Sequence, residues 1–290
     1  MNRILLIGAT GTIGRRVVSL LLVRGAQVRA LTRNPDRAGL PPQVQVVRGD
    51  LALPETLDGC LDGVDTVFLV WVAPPASVAP ALQRIAQHSR RIVFLSAPLK
   101  TAHPLFQQPN AARALGEKIE SQIEASGLEW TFLRPGMFAA NARAWWGPQI
   151  RAGNIVRWPH LAVPTAPIDE RDIAAVAVRA LCEEGHDKAE YVLTGPESLS
   201  QAEQVAIIGR VIGRPLRVEE ISLEEARREL LAVIPAPGVG MLLDAWSAAA
   251  GQPAFVTSTV EQITGRPSRT FRDWATDNAA VFQSCPPVLS

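Results

Sequence analysis

The sequence contains little cysteine, almost no net charge and no long hydrophobic run. Its three cysteines, Cys60, Cys182 and Cys285, lie far apart without the spacing of a metal site, which predicts free thiols in a reducing cytosol and no bound metal. A formal net charge of +1 over 290 residues offers no basic surface for nucleic acid. The apolar stretch at residues 4–7 is too short for a signal peptide or a membrane span. These absences predict a cytoplasmic globular protein with no membrane or nucleic-acid partner.

Three glycines follow the N-terminal apolar stretch at a spacing of three residues. Gly8 tolerates the sharp turn that ends a strand, Gly11 leaves the backbone open to a pyrophosphate, and Gly14 lets the next helix pack closely on the sheet. Apolar residues at helical spacing predict that helix, whose N–H groups would face the phosphates. Glycine-rich turns occur in many loops, but this order of strand, turn and helix favours a dinucleotide-binding loop. The residues predicted to contact the dinucleotide here are Gly8, Thr10, Gly11, Thr12, Ile13 and Gly14.

Short apolar runs alternate with helical segments along the first half of the chain. The runs lie at residues 28–31, 44–47, 66–70, 92–95 and 130–133, with helices predicted at 78–89 and 111–125. This alternation predicts an α/β fold, a doubly wound parallel (Rossmann) sheet with its ligand crevice at the carboxyl ends of the strands. We expect residues 1–153 to form the nucleotide-binding core. Residues 154–290 are expected to supply the remaining core elements, at 154–158, 173–182 and 191–193, interleaved with a smaller, mainly helical C-terminal substrate lobe.

The residues after the second and third strands indicate which dinucleotide binds. Arg33 follows the second strand, where a carboxylate would bind the ribose 2′-hydroxyl of NAD(H). A guanidinium pairs with a 2′-phosphate, so Arg33 favours NADP(H), with a solvated loop arginine as the alternative. After the third strand, the Asp50 carboxylate can accept the adenine amino group, with Leu51 beside it, or cap the following helix. The predicted cofactor is therefore NADP(H).

The fourth and fifth strands end in residues that we expect beside the nicotinamide. Val70 and Trp71 follow the fourth strand, and Ser96 follows the fifth. Trp71 would present a flat apolar wall to the cofactor or substrate, and core packing is its equal alternative. Ser96 would hydrogen-bond to the nicotinamide or to a bound carbonyl group. Both strand ends are thus assigned to the predicted crevice.

Several segments of the chain resemble one known protein family. The segments are GATGTIG, LTRNP after the second strand, GDL after the third, SGLEWTFLRPGMFAAN at 126–141, PIDERDIAAVAVRAL at 167–181 and YVLTGPESLS at 191–200. Together they resemble the NmrA-like group of atypical short-chain dehydrogenases over most of the chain. The resemblance implies a Rossmann domain, NADP(H) binding and a small C-terminal lobe over the substrate cleft. Activities in that family range from reduction of quinones, carbonyls and alkenes to epimerisation and redox sensing.

The chain departs from typical short-chain dehydrogenases at the proton donor. Those enzymes place a tyrosine four residues before a lysine on the helix after the fifth strand, and the matching positions here are Ala112 and Gly116. The single tyrosine, Tyr191, has Gly195 four residues later, so no displaced pair exists. Lys118 lies on a different face of the predicted helix and is interpreted as solvated. Gly116 suggests that space is wanted beside the cofactor.

The remaining candidates for chemistry lie in the loops that follow the fifth and sixth strands. His103 could donate a proton to a carbonyl group, with a surface-loop histidine as the alternative, and Asn110 begins the next helix. Arg134 is expected to brace its loop. The residues predicted to line an apolar substrate pocket, with packing between the lobes as the alternative, are Trp71, Met137, Phe138, Asn141 and Trp145.

These features predict an NADP(H)-dependent oxidoreductase without the tyrosine–lysine pair. Its substrate would be a small apolar or aromatic carbonyl compound, quinone or enone, and a homodimer is a candidate assembly. Two alternatives stay open: a redox-neutral isomerase or cyclase of a specialised metabolite on the same fold, and a non-catalytic NADP(H) redox sensor. The missing proton donor favours both alternatives. It does not exclude a reductase, because water or the substrate can supply the proton.

Overall fold

Seven parallel strands form the central sheet of the protein. The computed structural model describes residues 3–232 and 236–283, so Cys285 lies outside the described residues. The strands in the described part of the chain are β1 (Arg3–Ile7), β2 (Gln27–Thr32), β3 (Gln45–Arg48), β4 (Thr66–Leu69), β5 (Arg91–Leu95), β6 (Glu129–Pro135), β7 (Ile155–Trp158), β8 (Pro164–Thr165), β9 (Ala189–Leu193), β10 (Leu199–Ser200) and β11 (Arg217–Glu220). The central sheet has the order β3-β2-β1-β4-β5-β6-β9.

Helices cover both faces of this sheet. The helices of the described residues, on the sheet and beyond it, are α1 (Thr12–Val23), α2 (Asp58–Leu61), α3 (Val78–His88), α4 (Ala111–Glu124), α5 (Asn141–Trp145), α6 (Gly147–Ala152), α7 (Glu170–Cys182), α8 (Gln201–Val211), α9 (Leu223–Leu230), α10 (Ala236–Ala249), α11 (Thr259–Thr264), α12 (Phe271–Asp277) and α13 (Ala279–Phe282). In β1, Ile4 and Leu6 pack with α1 and α7, whereas Leu5 and Ile7 pack with α3 and α4. Because successive strand residues face opposite ways, a continuous apolar run serves two cores, as the predicted doubly wound fold requires.

The strand order reverses between β1 and β4, which places a crevice at their carboxyl ends. One sequence prediction about the sheet was wrong: residues 154–158 do not return to the core. Strand β7 pairs instead with β11 in a separate two-stranded sheet, with Val156 opposite Val218. The physical reason is that β9 occupies the free edge of β6, with Leu133 opposite Tyr191, and leaves no edge there for β7.

A second apolar core lies under the C-terminal helices. It contains residues of β7, α5, α6, α8, α9, α10 and α12, with five tryptophans among its described members. Besides Leu105, this core includes residues from Ala139 onward, within the span 1–153 that we expected to hold the nucleotide-binding part. We therefore propose that residues 139–152 pack as part of the substrate lobe, while α7 and β9 belong to the sheet.

Buried carboxylates at the start of α7 attach the C-terminal helices to the sheet domain. Asp169 caps α7 by accepting the Arg171 N–H at 2.8 Å, and it pairs with Arg269 Nε at 2.7 Å. Asp172 accepts the Arg269 backbone N–H at 2.8 Å. Burial raises the pKa of the Asp172 carboxyl to about 6, with the neighbouring Asp169 charge adding to the increase and hydrogen bonding to Arg269 opposing it. The predicted capping role of this pair thus extends to holding the lobe.

Candidate functional site

The glycine loop after β1 has the shape of a phosphate cradle. Gly8 has a φ of +97°, and a Cβ on it would lie 2.7 Å from the Val70 Cβ. A Cβ on Gly14 would lie 2.1 Å from the Gly8 carbonyl oxygen, so a larger residue would push α1 away from the turn. At Gly11, the N-terminal cap of α1, a Cβ would meet only that carbonyl oxygen among the described residues, at 3.4 Å. The loop therefore presents open backbone at a helix N-terminus, which fits a pyrophosphate.

The other residues predicted around the cradle divide into exposed and buried ones. Thr10 and Thr12 are exposed beside the glycines, whereas the side chains of Ile13 and Leu51 are buried in the cores. Those two residues can offer a cofactor only backbone groups. The Asp50 carboxylate accepts the Ala52 N–H at 2.9 Å within the turn and does not cap the following helix, because the N-cap residue there is Leu53. Its second oxygen takes no hydrogen bond from the described residues.

Arg33 lies exposed just beyond the end of β2. Its guanidinium makes no hydrogen bond or ion pair with any residue in the ranges 3–232 and 236–283, so it is available to a ligand. A different arginine holds the neighbouring loop in place: Arg15 donates to the carbonyl oxygens of Thr10 at 3.0 Å, Ala38 at 2.8 Å and Gly39 at 2.7 Å. Arg15 thus ties the glycine loop to the segment that follows Arg33.

Ser96, at the end of β5, belongs to a buried charge network. Its hydroxyl donates to Glu120 Oε1 at 2.6 Å, and Glu120 pairs with Arg134 at 2.6 Å. Arg134 also pairs with Glu190, so its side chain joins α4 to β9 instead of bracing the loop after β6 as predicted. Burial raises the pKa of Glu190, but hydrogen bonds from Arg134 and Lys100 outweigh it and hold that pKa below its usual value. Because the Ser96 O–H is already directed at Glu120, this hydroxyl can only accept a hydrogen bond from a ligand.

A cavity of about 380 Å³ opens at the carboxyl ends of β5 and β6, a volume typical of a small-molecule site. It lies between the sheet, the start of α4 and helix α10. Three of the predicted pocket residues line it: Met137, Phe138 and Asn141. The remaining lining residues are Ala97, Pro98, Leu99, Leu105, Phe106, Gln108, Asn110, Ala112, Arg113, Pro135, Gly136, Met241, Leu242 and Ala245. The wall is mainly apolar, and its one charged residue among the described positions is Arg113.

Two residues predicted for the pocket lie elsewhere. Trp145 is 9 % exposed and packs against Trp146, Trp158 and Trp246 at ring-centre distances of 5.5 to 6.1 Å. Its side chain belongs to the core of the C-terminal lobe, so it neither lines the pocket nor packs between the lobes as the alternative expected. Trp71 does not line the cavity either. It packs against the apolar core between the sheet and helices α3 and α4, and its Nε1 donates to the Ala73 carbonyl oxygen at 2.7 Å. A contact between Trp71 and the cofactor stays a prediction.

His103 is buried and does not line the cavity, which makes the proton-donor prediction wrong for this histidine. The Leu105 N–H donates to its Nδ1 at 3.2 Å, so Nδ1 carries no proton. Its Nε2 lies 2.9 Å from the Pro253 carbonyl oxygen, which can only accept, so Nε2 carries the proton. Both ring nitrogens are occupied in joining the loop after β5 to the C-terminal segment.

Helix α4 begins beside the cavity. Asn110 caps it: its Oδ1 accepts the Arg113 N–H at 2.8 Å, and its Nδ2 donates to the Gln108 carbonyl oxygen at 2.9 Å. The amide is therefore structural, although it borders the cavity. One turn later, a Cβ on Gly116 would lie 3.0 Å from Leu99 Cδ1. The space that we expected to be open beside Gly116 is filled by Leu99.

The structure adds pocket residues that the sequence pattern did not identify. Met241, Leu242 and Ala245 of α10 cover the cavity, while Val239, Leu243 and Trp246 of the same helix are buried in the lobe. A helix that is apolar around most of its circumference indicates burial on two sides, and residues 236–249 have that composition. This apolar composition can be seen in the sequence, but it does not show that one side of α10 contacts the cavity and the other the core of the lobe.

The described lining of the cavity supplies no obvious acid. No histidine, cysteine, lysine, tyrosine, aspartate or glutamate lines the cavity among the described residues. Tyr191 hydrogen-bonds His186 Nδ1 at 2.7 Å outside it, and the Lys118 Nζ donates to the Pro75 carbonyl oxygen at 3.3 Å on the surface. Within residues 3–232 and 236–283, no group of three metal-ligating side chains is placed to hold a metal.

Comparison with known proteins establishes the family. A family model described as NAD(P)H-binding matches residues 8–184, which include the glycine loop and strands β2 to β6 of the central sheet. The chain belongs to this NAD(P)H-binding family. Membership confirms the predicted resemblance and the predicted class of cofactor, and it agrees with the cradle in which no side chain fills the space at Gly11.

Two curated relatives and one solved structure are similar over nearly their whole length. The (4-alkanoyl-5-oxo-2,5-dihydrofuran-3-yl)methyl phosphate reductase of Streptomyces griseus is 39 % identical over 96 % of this chain and 99 % of its own. The NAD(P)H azoreductase of Xenophilus azovorans is 38 % identical with the same coverage. An NADPH-dependent quinone oxidoreductase from Escherichia coli has a TM-score of 0.80 at 22 % identity, covering 95 % of this chain and 99 % of that one. This NAD(P)H-binding protein is thus an oxidoreductase by class.

The relatives act on small molecules, in line with a site of this volume. No helix in the described ranges has both the length and the hydropathy to cross a membrane. With the family established, the positions of the usual proton-donor pair gain meaning. Ala112 lines the cavity and Gly116 packs on Leu99, so the pair is replaced by an apolar wall rather than by another acid.

Proposed function

We propose that this protein is an NADPH-dependent reductase of small, apolar conjugated acceptors such as quinones and enones. The observation that carries the proposal is the cavity at the ends of β5 and β6. Its wall is apolar and holds no proton-donating acid among the described residues. Such a site suits a substrate that needs positioning beside a hydride donor more than it needs an acid.

The glycine loop and Arg33 are the groups that would hold the cofactor. The open backbone at Gly11 fits the pyrophosphate, and the unpaired Arg33 guanidinium favours the 2′-phosphate of NADPH over NADH. Bound NADPH would supply a hydride and leave as NADP⁺, while water supplies the second hydrogen as a proton. Arg15 keeps the two parts of this cofactor surface together through its three carbonyl contacts.

The missing acid decides between kinds of acceptor. Hydride addition to an isolated ketone leaves a strongly basic alkoxide, which an enzyme normally protonates with a positioned side chain. Addition to a quinone or to the double bond of an enone leaves a delocalised phenolate or enolate. That anion can take its proton from water, so the apolar wall at Ala112 and Leu99 is no obstacle.

The names of the two curated relatives support a conjugated acceptor. One reduces an acylated dihydrofuranone phosphate and the other is an azoreductase, and both names describe unsaturated substrates. The apolar residues around Met137 and Leu242 suit the body of such a molecule. We also propose an apolar or aromatic substrate, a homodimer and a cytoplasmic location. Light scattering on the purified protein tests whether it is a dimer.

Absorbance of the reduced nicotinamide tests the proposal. The protein is mixed with NADPH and one of a matched pair of acceptors, 2-cyclohexenone or cyclohexanone, and with a set of quinones. We expect NADPH consumption with the quinones and the enone, and at least about a hundredfold slower consumption with the saturated ketone. Equal rates with both ketones would contradict the proposal. Tight NADPH binding without consumption by any acceptor would instead favour the redox sensor or the redox-neutral isomerase.

A further inference from the structure

Arg113 is the one charged residue that lines the cavity in the described part of the chain. Its side chain is only 20 % exposed. One Nη donates to the Phe106 carbonyl oxygen at 2.8 Å, and Nε pairs with Glu117 at 2.9 Å. A guanidinium has five N–H donors, so these two contacts fix its direction and leave three donors for a ligand.

The amide side chains that line the cavity are uncharged, and each makes a local hydrogen bond. Asn110 uses both ends of its amide in the turn, and the Gln108 Nε2 donates to the Pro104 carbonyl oxygen at 3.2 Å. On the opposite side the cavity is bounded by apolar side chains of α10, among them Met241 and Leu242. The cavity is therefore amphipathic, with one cationic end and one apolar end.

We propose that Arg113 binds an anionic group on the substrate, with a phosphate monoester as the chemistry that fits it best. The inference rests on the proposed reductase function and specifies its substrate as a conjugated carbonyl compound that carries a phosphate. The planar guanidinium can bind two phosphate oxygens at once, an arrangement that lysine does not provide. The apolar end then receives the unsaturated body and any alkyl chain.

Glu117 offsets only part of the Arg113 charge. Its carboxylate is 49 % exposed and belongs to an i,i+4 pair on the surface of α4, where solvent screens the interaction. The Arg113 side chain is more buried than that of Glu117. A phosphate that contacts Arg113 from the cavity is therefore less exposed to solvent than the Glu117 carboxylate is. The phosphate can therefore share the guanidinium with Glu117.

Kinetic selectivity tests the assignment. The probes are a 3-acylated dihydrofuranone that carries a methyl phosphate and the same compound with a free alcohol in place of the phosphate. The wild-type protein should prefer the phosphate by about ten- to hundredfold in kcat/KM, mainly through KM. R113Q should lose this preference, and R113K should keep part of it. The matched control R228Q removes an arginine from another i,i+4 pair, with Glu224, and should leave the preference unchanged.

A binding measurement separates this inference from the reductase proposal. Calorimetry with the saturated phosphate compound and NADP⁺ needs no turnover. Binding that R113Q weakens at least about tenfold supports the anion site even if no acceptor is reduced. Equal binding or equal selectivity in wild type and R113Q overturns it, whatever the reductase assay shows. Should R113Q not fold, added salt gives the same decision on the wild type: binding of the phosphate compound should weaken while that of the alcohol does not, and equal salt dependence overturns the inference.

Discussion

Leu99 fills the space beside Gly116, with its Cδ1 at 3.0 Å from the point that a Cβ on Gly116 would occupy. Leu99 also lines the cavity. The absence of a side chain at this position of α4 therefore shapes the substrate site through a neighbour. A lysine here, as in typical short-chain dehydrogenases, would displace Leu99 and change the apolar wall.

G116A tests this relationship. The new methyl group should push Leu99 toward the cavity, raising KM for an apolar acceptor by about three- to tenfold with little change in NADPH affinity. In stability, the gain of about 1 kcal/mol in helix propensity opposes the cost of moving Leu99. In an L99A background the same substitution should leave KM unchanged, because no side chain remains to be displaced. Equal effects of G116A in both backgrounds would contradict the account.

The fold was predictable to a large extent because its signals are local. The glycine turn is formed by residues close together in sequence, namely 4–7, Gly8 and Gly14. Its shape follows from short-range geometry. The pairing of β7 depends on a different fact, namely that β9 has already occupied the edge of β6. No pattern within residues 154–158 records which edge is free.

The site was less predictable because its contacts join distant parts of the chain. His103 has the composition of a proton donor, yet its role depends on the Pro253 carbonyl oxygen, 150 residues away. Trp145 resembles a pocket residue until three other tryptophans surround it. Arg113 stands next to Ala112, a position that the sequence pattern singled out, but only the folded structure places Arg113 in the cavity wall.

H103Q should affect stability more than chemistry. The substitution disturbs the contacts with Leu105 and Pro253, and we expect a loss of about 1–3 kcal/mol in the free energy of unfolding. At saturating substrate, kcat should stay within about threefold of the wild-type value, which corresponds to less than ~0.7 kcal/mol. Urea unfolding and steady-state kinetics measure the two quantities, with H88Q as the control at a more exposed histidine. A hundredfold loss of kcat with unchanged stability would restore His103 as the acid.

D172N should alter the pH dependence of stability. The folded-state pKa of Asp172 is raised to about 6 from 3.8, so its contribution is fully present below about pH 4 and is lost as pH rises through 6. A shift of about two units corresponds to ~3 kcal/mol. The free energy of unfolding of D172N minus that of the wild type should therefore be larger at pH 7.5 than at pH 4. Urea unfolding at both pH values measures this, with D36N as the exposed control. The same difference from wild type at both pH values would show that Asp172 does not titrate in this range.

R33D should change the choice of dinucleotide. The carboxylate would repel a 2′-phosphate, so the Kd for NADPH should rise about ten- to hundredfold while that for NADH stays the same or falls. Quenching of protein fluorescence during titration measures both affinities, and R228D controls for the change in net charge. If the wild-type protein binds NADPH and NADH equally well, Arg33 does not select the cofactor.

The position of a transferred hydrogen tests the central claim most directly. The protein is supplied with 2-cyclohexenone and with NADPH that carries deuterium at the transferable C4 position, and the product is analysed by NMR. The apolar cavity without an acid predicts deuterium at the β-carbon of cyclohexanone, with the α-hydrogen taken from water. Deuterium on the carbinol carbon of an allylic alcohol, or no transfer from NADPH to any conjugated acceptor, would contradict the account.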